Sequence, residues 1–258
     1  MARIAALVYG LVCYVGFLGV YLYLIGFLGN LLVPKSVDSG AERPLATALL
    51  VNVLLLGFFG VTHTVMARPT FKRAWTKFVP IPIERSTYVL ITNLQLILLY
   101  VLWQPMTGTI WEVQNTIGQG ILWTLFGAGW LLVLIATLQI NHLDLFGVRQ
   151  VWLCFRRREY TPVALATPAL YKHVRHPLYV GWITAFWATP SMSAGHLVFA
   201  AGLTVYILIA IYYEERNLVE FHGEGYVKYR QRTPMLIPRL WKRRAADQTK
   251  GSRSGTGG

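Results

Sequence analysis

A chain of 258 residues with 55% hydrophobic and only 14% charged residues falls well short of the roughly 25% charged residues of soluble domains, and reads as an all-α integral membrane protein. Its net charge of +13 lies mostly between and after the apolar runs, where it suits loops facing an anionic leaflet and calls for no nucleic-acid partner. Cys13, in an apolar run, and Cys154, in a basic loop, form no Cys-x-x-Cys or Cys/His zinc spacing, so no disulfide framework is implied.

From Met1 to Leu32 one arginine precedes an apolar run longer than a signal-peptide core, without a small-residue cleavage site, so a retained first span is expected. Crossing a bilayer takes about 20 apolar residues. Ile4 to Leu32, Leu45 to Met66, Tyr88 to Trp103 and Ile117 to Ile140 reach or approach that length. After a polar stretch from Asn141 to Pro177, a run from Leu178 to Thr189 breaks at Pro190-Ser191 and resumes from Leu197 to Tyr213. The first piece covers only about 18 Å as helix, so it either starts earlier or forms the first arm of a tight helical hairpin. The expected architecture is about five to six transmembrane helices. Residues 1–140 make a four-helix core, 141–240 carry a catalytic loop, the hairpin and a cofactor-binding region, and 241–258 are a basic flexible tail.

Pro34 to Pro44 is nearly balanced and Pro105 to Thr116 carries only Glu112, whereas Ala67 to Arg85 and Asn141 to Pro177 are rich in arginine and lysine. By the positive-inside rule the two basic loops face the cytoplasm, together with the amino terminus and the tail, as expected of a multi-pass protein of a bacterial inner membrane. The chemically promising residues thus fall on one side.

Three stretches there could carry chemistry. In Tyr171-Lys-His-Val-Arg-His-Pro-Leu-Tyr-Val-Gly181, Pro177 suits a first helical position, and the N–H groups and cations ahead of it suit an anion. A positive-inside anchor with a helix cap explains the same residues. Glu214-Glu215-Arg216-Asn217-Leu218 puts paired acids at a helix carboxyl end, where the dipole opposes them, so they need a partner or a purpose, or are a solvated end balanced by Arg216. Gly223 to Pro234 sets Tyr226 and Tyr229 along one helical side, as would an interfacial aromatic belt.

The order Arg-His-Pro-x-Tyr-x-Gly, hairpin, Glu-Glu-x-x-Leu, Gly-x-x-Tyr-x-x-Tyr and proline resembles the isoprenylcysteine carboxyl methyltransferase superfamily of membrane enzymes, over about Tyr171 to Pro238. The resemblance implies a cytoplasmic pocket for S-adenosylmethionine. Tyr171, His173, Arg175, His176, Tyr179 and Gly181 would frame one side of it, and Glu214, Glu215, Leu218, Tyr229 and Arg230 would close the other. Arg175 and His176 suit the methionyl carboxylate, and a carboxylate suits the ammonium and ribose hydroxyls.

His63-Thr-Val-Met-Ala-Arg-Pro-Thr-Phe-Lys72 and Asn141-His-Leu-Asp-Leu-Phe-Gly147 look like the bacterial methanethiol S-methyltransferase branch, the first also like NnrU-like relatives. That likeness extends over most of residues 1–240 and implies a small thiol acceptor. His142, oriented by Asp144, would take the thiol proton or bind the thiolate, with His63 as a second contact. A divalent metal held by the same groups is the alternative. A prenylcysteine or lipid acceptor, and a non-catalytic NnrU-like protein, are the rival readings of the whole chain.

Overall fold

The computed structural model describes residues 1–162 and 167–238; the expected tail, 241–258, lies outside the described residues. Among the described residues five helices are long and apolar enough to cross a membrane: α1 (Ala2–Gly29), α2 (Leu45–Met66), α4 (Ile81–Leu102), α5 (Thr116–Gln139) and α9 (Ala194–His222). Short helices decorate the end that carries the basic loops: α3 (Pro69–Trp75), α6 (His142–Leu145), α7 (Val148–Phe155) and α10 (Glu224–Arg232). The all-α membrane architecture follows from these runs, because only helices satisfy their own backbone groups in hydrocarbon.

Two boundaries differ from the sequence expectation. Helix α4 begins at Ile81 rather than near Tyr88, with Pro82 and Glu84 in its first turn. Proline and an acid both suit a helix start, but Glu84, Arg85 and Ser86 interrupt the apolar run and hide the start from hydropathy. Helix α8 (Pro177–Trp187) is only 11 residues long, about 16 Å, and is indeed the first arm of a hairpin.

The chain beyond α8 runs extended, and β2 (Ser191–Ser193) pairs antiparallel with β1 (Thr109–Glu112), Thr109 opposite Ser193 and Glu112 opposite Ser191. This small sheet was not expected from sequence. Its partners serve backbone groups that the helix cannot: the N–H of Val113 donates to Pro190 O at 2.9 Å, that of Ala194 to Gly108 O at 2.7 Å, and the Trp111 indole to Thr189 O at 3.1 Å. Where such groups are buried, leaving them unpaired costs free energy.

The most extensive helix contact joins α5 to α8. Gly129 and Gly181 meet there: a Cβ on Gly129 would lie 2.6 Å from the Ala185 nitrogen, and one on Gly181 2.9 Å from Gly129 O. Small residues let membrane helices approach closely. Buried polar groups tie other pairs, as Tyr21 donates to Trp130 O at 2.7 Å and Asn93 Nδ2 to Cys13 O at 3.1 Å.

Candidate active site

Toward the basic end, α1, α2, α4, α5, α8 and α9 surround a cavity of about 480 Å³. Its walls are mostly apolar. Polar groups among them include His63 and Arg68 from the end of α2 and just beyond, Arg85, Tyr88 and Thr92 from α4, Tyr179 from α8, Tyr206 from the middle of α9, and Glu214 and Asn217 from its later turns. Arg68, Tyr213 and Asn217 also line an outer cleft of about 560 Å³ bordered by Arg216, Glu220 and Arg230. Charged cleft and apolar cavity therefore meet at a shared rim.

His63 lines the cavity. Thr92 spends its hydroxyl proton on Tyr88 O, 2.9 Å away, so at 3.2 Å from His63 Nδ1 it accepts, which puts the imidazole proton on Nδ1. Nε2 then accepts from the Tyr88 hydroxyl at 2.7 Å. The Phe59 ring stacks on the imidazole at 5.2 Å between centroids. The result is a neutral imidazole of fixed tautomer whose basic nitrogen is reached through a phenol.

The adjoining carboxylates are used differently. Glu215 Oε1 accepts from Arg175 Nε at 2.7 Å and from His176 Nε2 at 3.1 Å, and its side chain is 12% exposed. Glu214 Oε2 accepts from the Tyr179 hydroxyl at 2.8 Å, with His176 Nδ1 4.0 Å away, and its side chain is 44% exposed. One acid is consumed in an internal ion pair; the other faces the rim.

Arg175 and His176, assigned from sequence to a ligand carboxylate, are engaged by internal partners. Besides Glu215, Arg175 Nη1 donates to Arg230 O at 3.0 Å and Thr233 O at 2.6 Å, while the backbone N–H groups of Arg175 and His176 donate to Pro234 O and Met235 O. The cluster clips the chain after α10 to the start of α8. Tyr229 adds to the clip by donating to Tyr171 O at 2.6 Å, and burial pushes its hydroxyl up to about 12, so it remains a donor. Gly181 is likewise a packing residue of the contact between α5 and α8. Tyr171, His173 and Leu218 line neither cavity nor cleft; of the eleven residues assigned to a cofactor, Tyr179, Glu214 and Arg230 do.

His142 is held as His63 is. Thr137 gives its proton to Leu134 O and accepts from His142 Nδ1 at 2.8 Å, and Nε2 accepts from the Tyr14 hydroxyl at 2.9 Å. Burial pushes the imidazole below its usual range, which keeps it neutral. Asp144 does not orient it, contrary to the sequence expectation: Asp144 pairs with Arg149 at 2.8 Å and accepts from Tyr160. The turn explains why, since Asn141 enters α6 in the left-handed region at φ 86° and caps Asp144 N, and the acid lies away from the ring. Neither His142 nor Asp144 lines the cavity, where Thr137 and Phe146 stand. Among the described residues no three His, Cys, Asp or Glu side chains gather as a metal site, so the metal alternative lacks the ligand set it was built on.

Tyr88, Thr92 and Tyr206 were missed in sequence. Two of them share α4 with a helix start that hydropathy hid; counting Tyr88 as a polar residue facing the same membrane side as His63 would have been the signal.

No family model and no solved structure matches the chain. Methanethiol S-methyltransferase of Crocosphaera subtropica is 52% identical over 243 residues, 94% of this chain and 95% of that one. The protein of that name from Mycobacterium tuberculosis is 48% identical over 92% of this chain and 98% of its own. More distantly, nurim of Rattus norvegicus is 28% identical over 69% of this chain and 70% of its own. Bundle and relatives together define a multi-pass membrane methyltransferase. The chain belongs to the methanethiol S-methyltransferase family.

Proposed function

We propose that this protein transfers a methyl group from S-adenosylmethionine to methanethiol, giving dimethyl sulfide, at the rim where the charged cleft opens into the apolar cavity. The observation that carries the reading is this junction: a polar donor and an apolar acceptor need unlike surroundings within bonding reach of each other, Arg68, Tyr213 and Asn217 line both cleft and cavity, and the hydrogen-bonded pair of His63 and Tyr88 lines the cavity. The supply of donor agrees with a rim facing the cytoplasm, the side that the basic loops favour.

The groups on the cleft side fit such a donor. Arg68 and Arg230 suit a carboxylate, Glu214 suits an ammonium or ribose hydroxyls, and Asn217 adds an amide. When bound, S-adenosylmethionine supplies a methyl group on an electron-poor sulfonium. The faces of Tyr179 and Tyr206, both on the cavity wall, favour a cation nearby. Tyr179 is fixed by its hydrogen bond to Glu214, so the aromatic face and the carboxylate move as one unit.

The acceptor must lose a proton. A cysteine thiol has a pKa of about 8.5, and an alkanethiol is a weaker acid, so a thiolate at neutral pH needs a base. His63 supplies it through Tyr88: the phenol oxygen takes the thiol proton as its own passes to Nε2, 2.7 Å away. The apolar wall excludes water, which raises the reactivity of a bare thiolate. His142 supports the wall through Thr137.

The test is direct. Membranes bearing the protein, given methanethiol and S-adenosylmethionine, should release dimethyl sulfide into the headspace, and His63→Ala membranes should not. Absence of the product from the unaltered protein would overturn the reading.

A further inference from the structure

The cavity is far larger than methanethiol. A water molecule has roughly 30 Å³ of liquid to itself, so a two-heavy-atom thiol fills on the order of 60 Å³, against about 480 Å³ within the bundle. Part of that space belongs to the methyl donor, yet the donor is polar and the deeper walls are mostly apolar, with Asn93 and Thr137 there already hydrogen-bonded to Cys13 O and Leu134 O.

The depth can be read along the helices. On α4 the lining runs from Arg85 to Leu96, and on α9 from Asn217 inward to Leu203. Leu96 lies eight residues past Tyr88 in sequence, which at the α-helical rise is about 12 Å beyond the base pair of His63 and Tyr88. The walls of that stretch include Leu24, Leu96, Val133, Trp182, Phe186 and Leu203, without a charged side chain among them. Water gains little there and an alkyl chain gains much, at about fourfold in affinity per buried methylene.

We infer that the acceptor class of this enzyme extends to longer apolar thiols, alkanethiols of about hexyl length, with sulfur at Tyr88 and the alkyl chain in the pocket that runs to Leu96 and Leu203. The inference rests on the methyl-transfer reading above. The thiol proton leaves to Tyr88 and His63, and the thiolate electron pair forms the new carbon–sulfur bond. The methyl–sulfonium bond breaks, and its electron pair stays on the departing thioether. The products are an alkyl methyl sulfide and S-adenosylhomocysteine.

The experiment follows methyl transfer by the purified full chain in nanodiscs, with S-adenosylmethionine and a series from methanethiol through ethanethiol and butanethiol to hexanethiol. Rates are referred to the aqueous thiol concentration, so that partition into lipid does not mimic affinity. The expected result is a kcat/KM that climbs a few-fold per methylene as far as hexanethiol. Leu96→Trp should lower the ratio of hexanethiol to methanethiol kcat/KM at least tenfold. Turnover of methanethiol with none of butanethiol or hexanethiol overturns the inference and leaves the methyl-transfer reading standing. A series in which no thiol is methylated overturns that reading itself. Should the tryptophan variant fail to fold, the series on the unaltered protein decides.

Discussion

The hydroxyl of Tyr88 lies 2.7 Å from Nε2 of His63, one on the first half of α4 and the other near the end of α2. Tyr88→Phe removes that oxygen alone and keeps the ring. If the phenol relays the thiol proton, kcat should fall by about two orders of magnitude, the usual worth of a positioned acid or base. Headspace dimethyl sulfide gives the rate, and donor affinity by calorimetry should be unchanged. A variant as fast as the parent would remove Tyr88 from the chemistry.

Glu214 and Glu215 should separate cleanly. Glu214→Gln is expected to weaken S-adenosylmethionine binding about tenfold while leaving thermal unfolding in detergent near the parent value. Glu215→Gln should do the reverse in kind, because it removes the negative charge that Arg175 and His176 share, and breaking a buried ion pair costs about 3 kcal/mol. Equal effects from the two substitutions would contradict the division of labour.

Gly181→Val tests the helix contact. The new Cβ would come within 2.9 Å of Gly129 O and of the Val133 nitrogen, both on α5. Overpacking of this kind costs about 1–3 kcal/mol. The measure is the unfolding temperature in detergent, and an unchanged value would mean that the helices separate freely.

His142 gives the protein an acid-sensitive point. Its folded-state pKa is depressed by burial, so below the unfolded value of about 6.5 the unfolded chain binds more protons than the folded one. Stability from this group is complete above that pH and drains away as pH falls toward the folded pKa. Unfolding temperatures taken from pH 7.5 downward should fall more steeply for the parent than for His142→Gln; parallel curves would rule the residue out.

The spans and the basic end were legible in the sequence because hydropathy and the arginine pattern are local properties. Of the residues in the order Arg-His-Pro, Glu-Glu and Tyr-x-x-Tyr, Tyr179, Glu214 and Arg230 line the cavity or the cleft. The roles within the cluster were not legible. Whether Arg175 holds a ligand or Glu215 depends on how the hairpin brings α9 against the start of α8, a contact across 40 residues that no local pattern encodes. Asp144, two residues from His142, was assigned to it by proximity in sequence, but a left-handed Asn141 turns the acid toward Arg149. The pairing of β1 with β2 was hidden for a similar reason, since each strand is too short to show alternation.

The clip at Arg175 also governs how the protein can be handled. Three of the carbonyl oxygens that receive its N–H groups belong to Arg230, Thr233 and Pro234. A reporter or affinity tag joined after Pro238 keeps this latch intact, whereas a fusion made by cutting back to Gln231 forfeits two of its three catches and frees the segment that holds the hairpin shut.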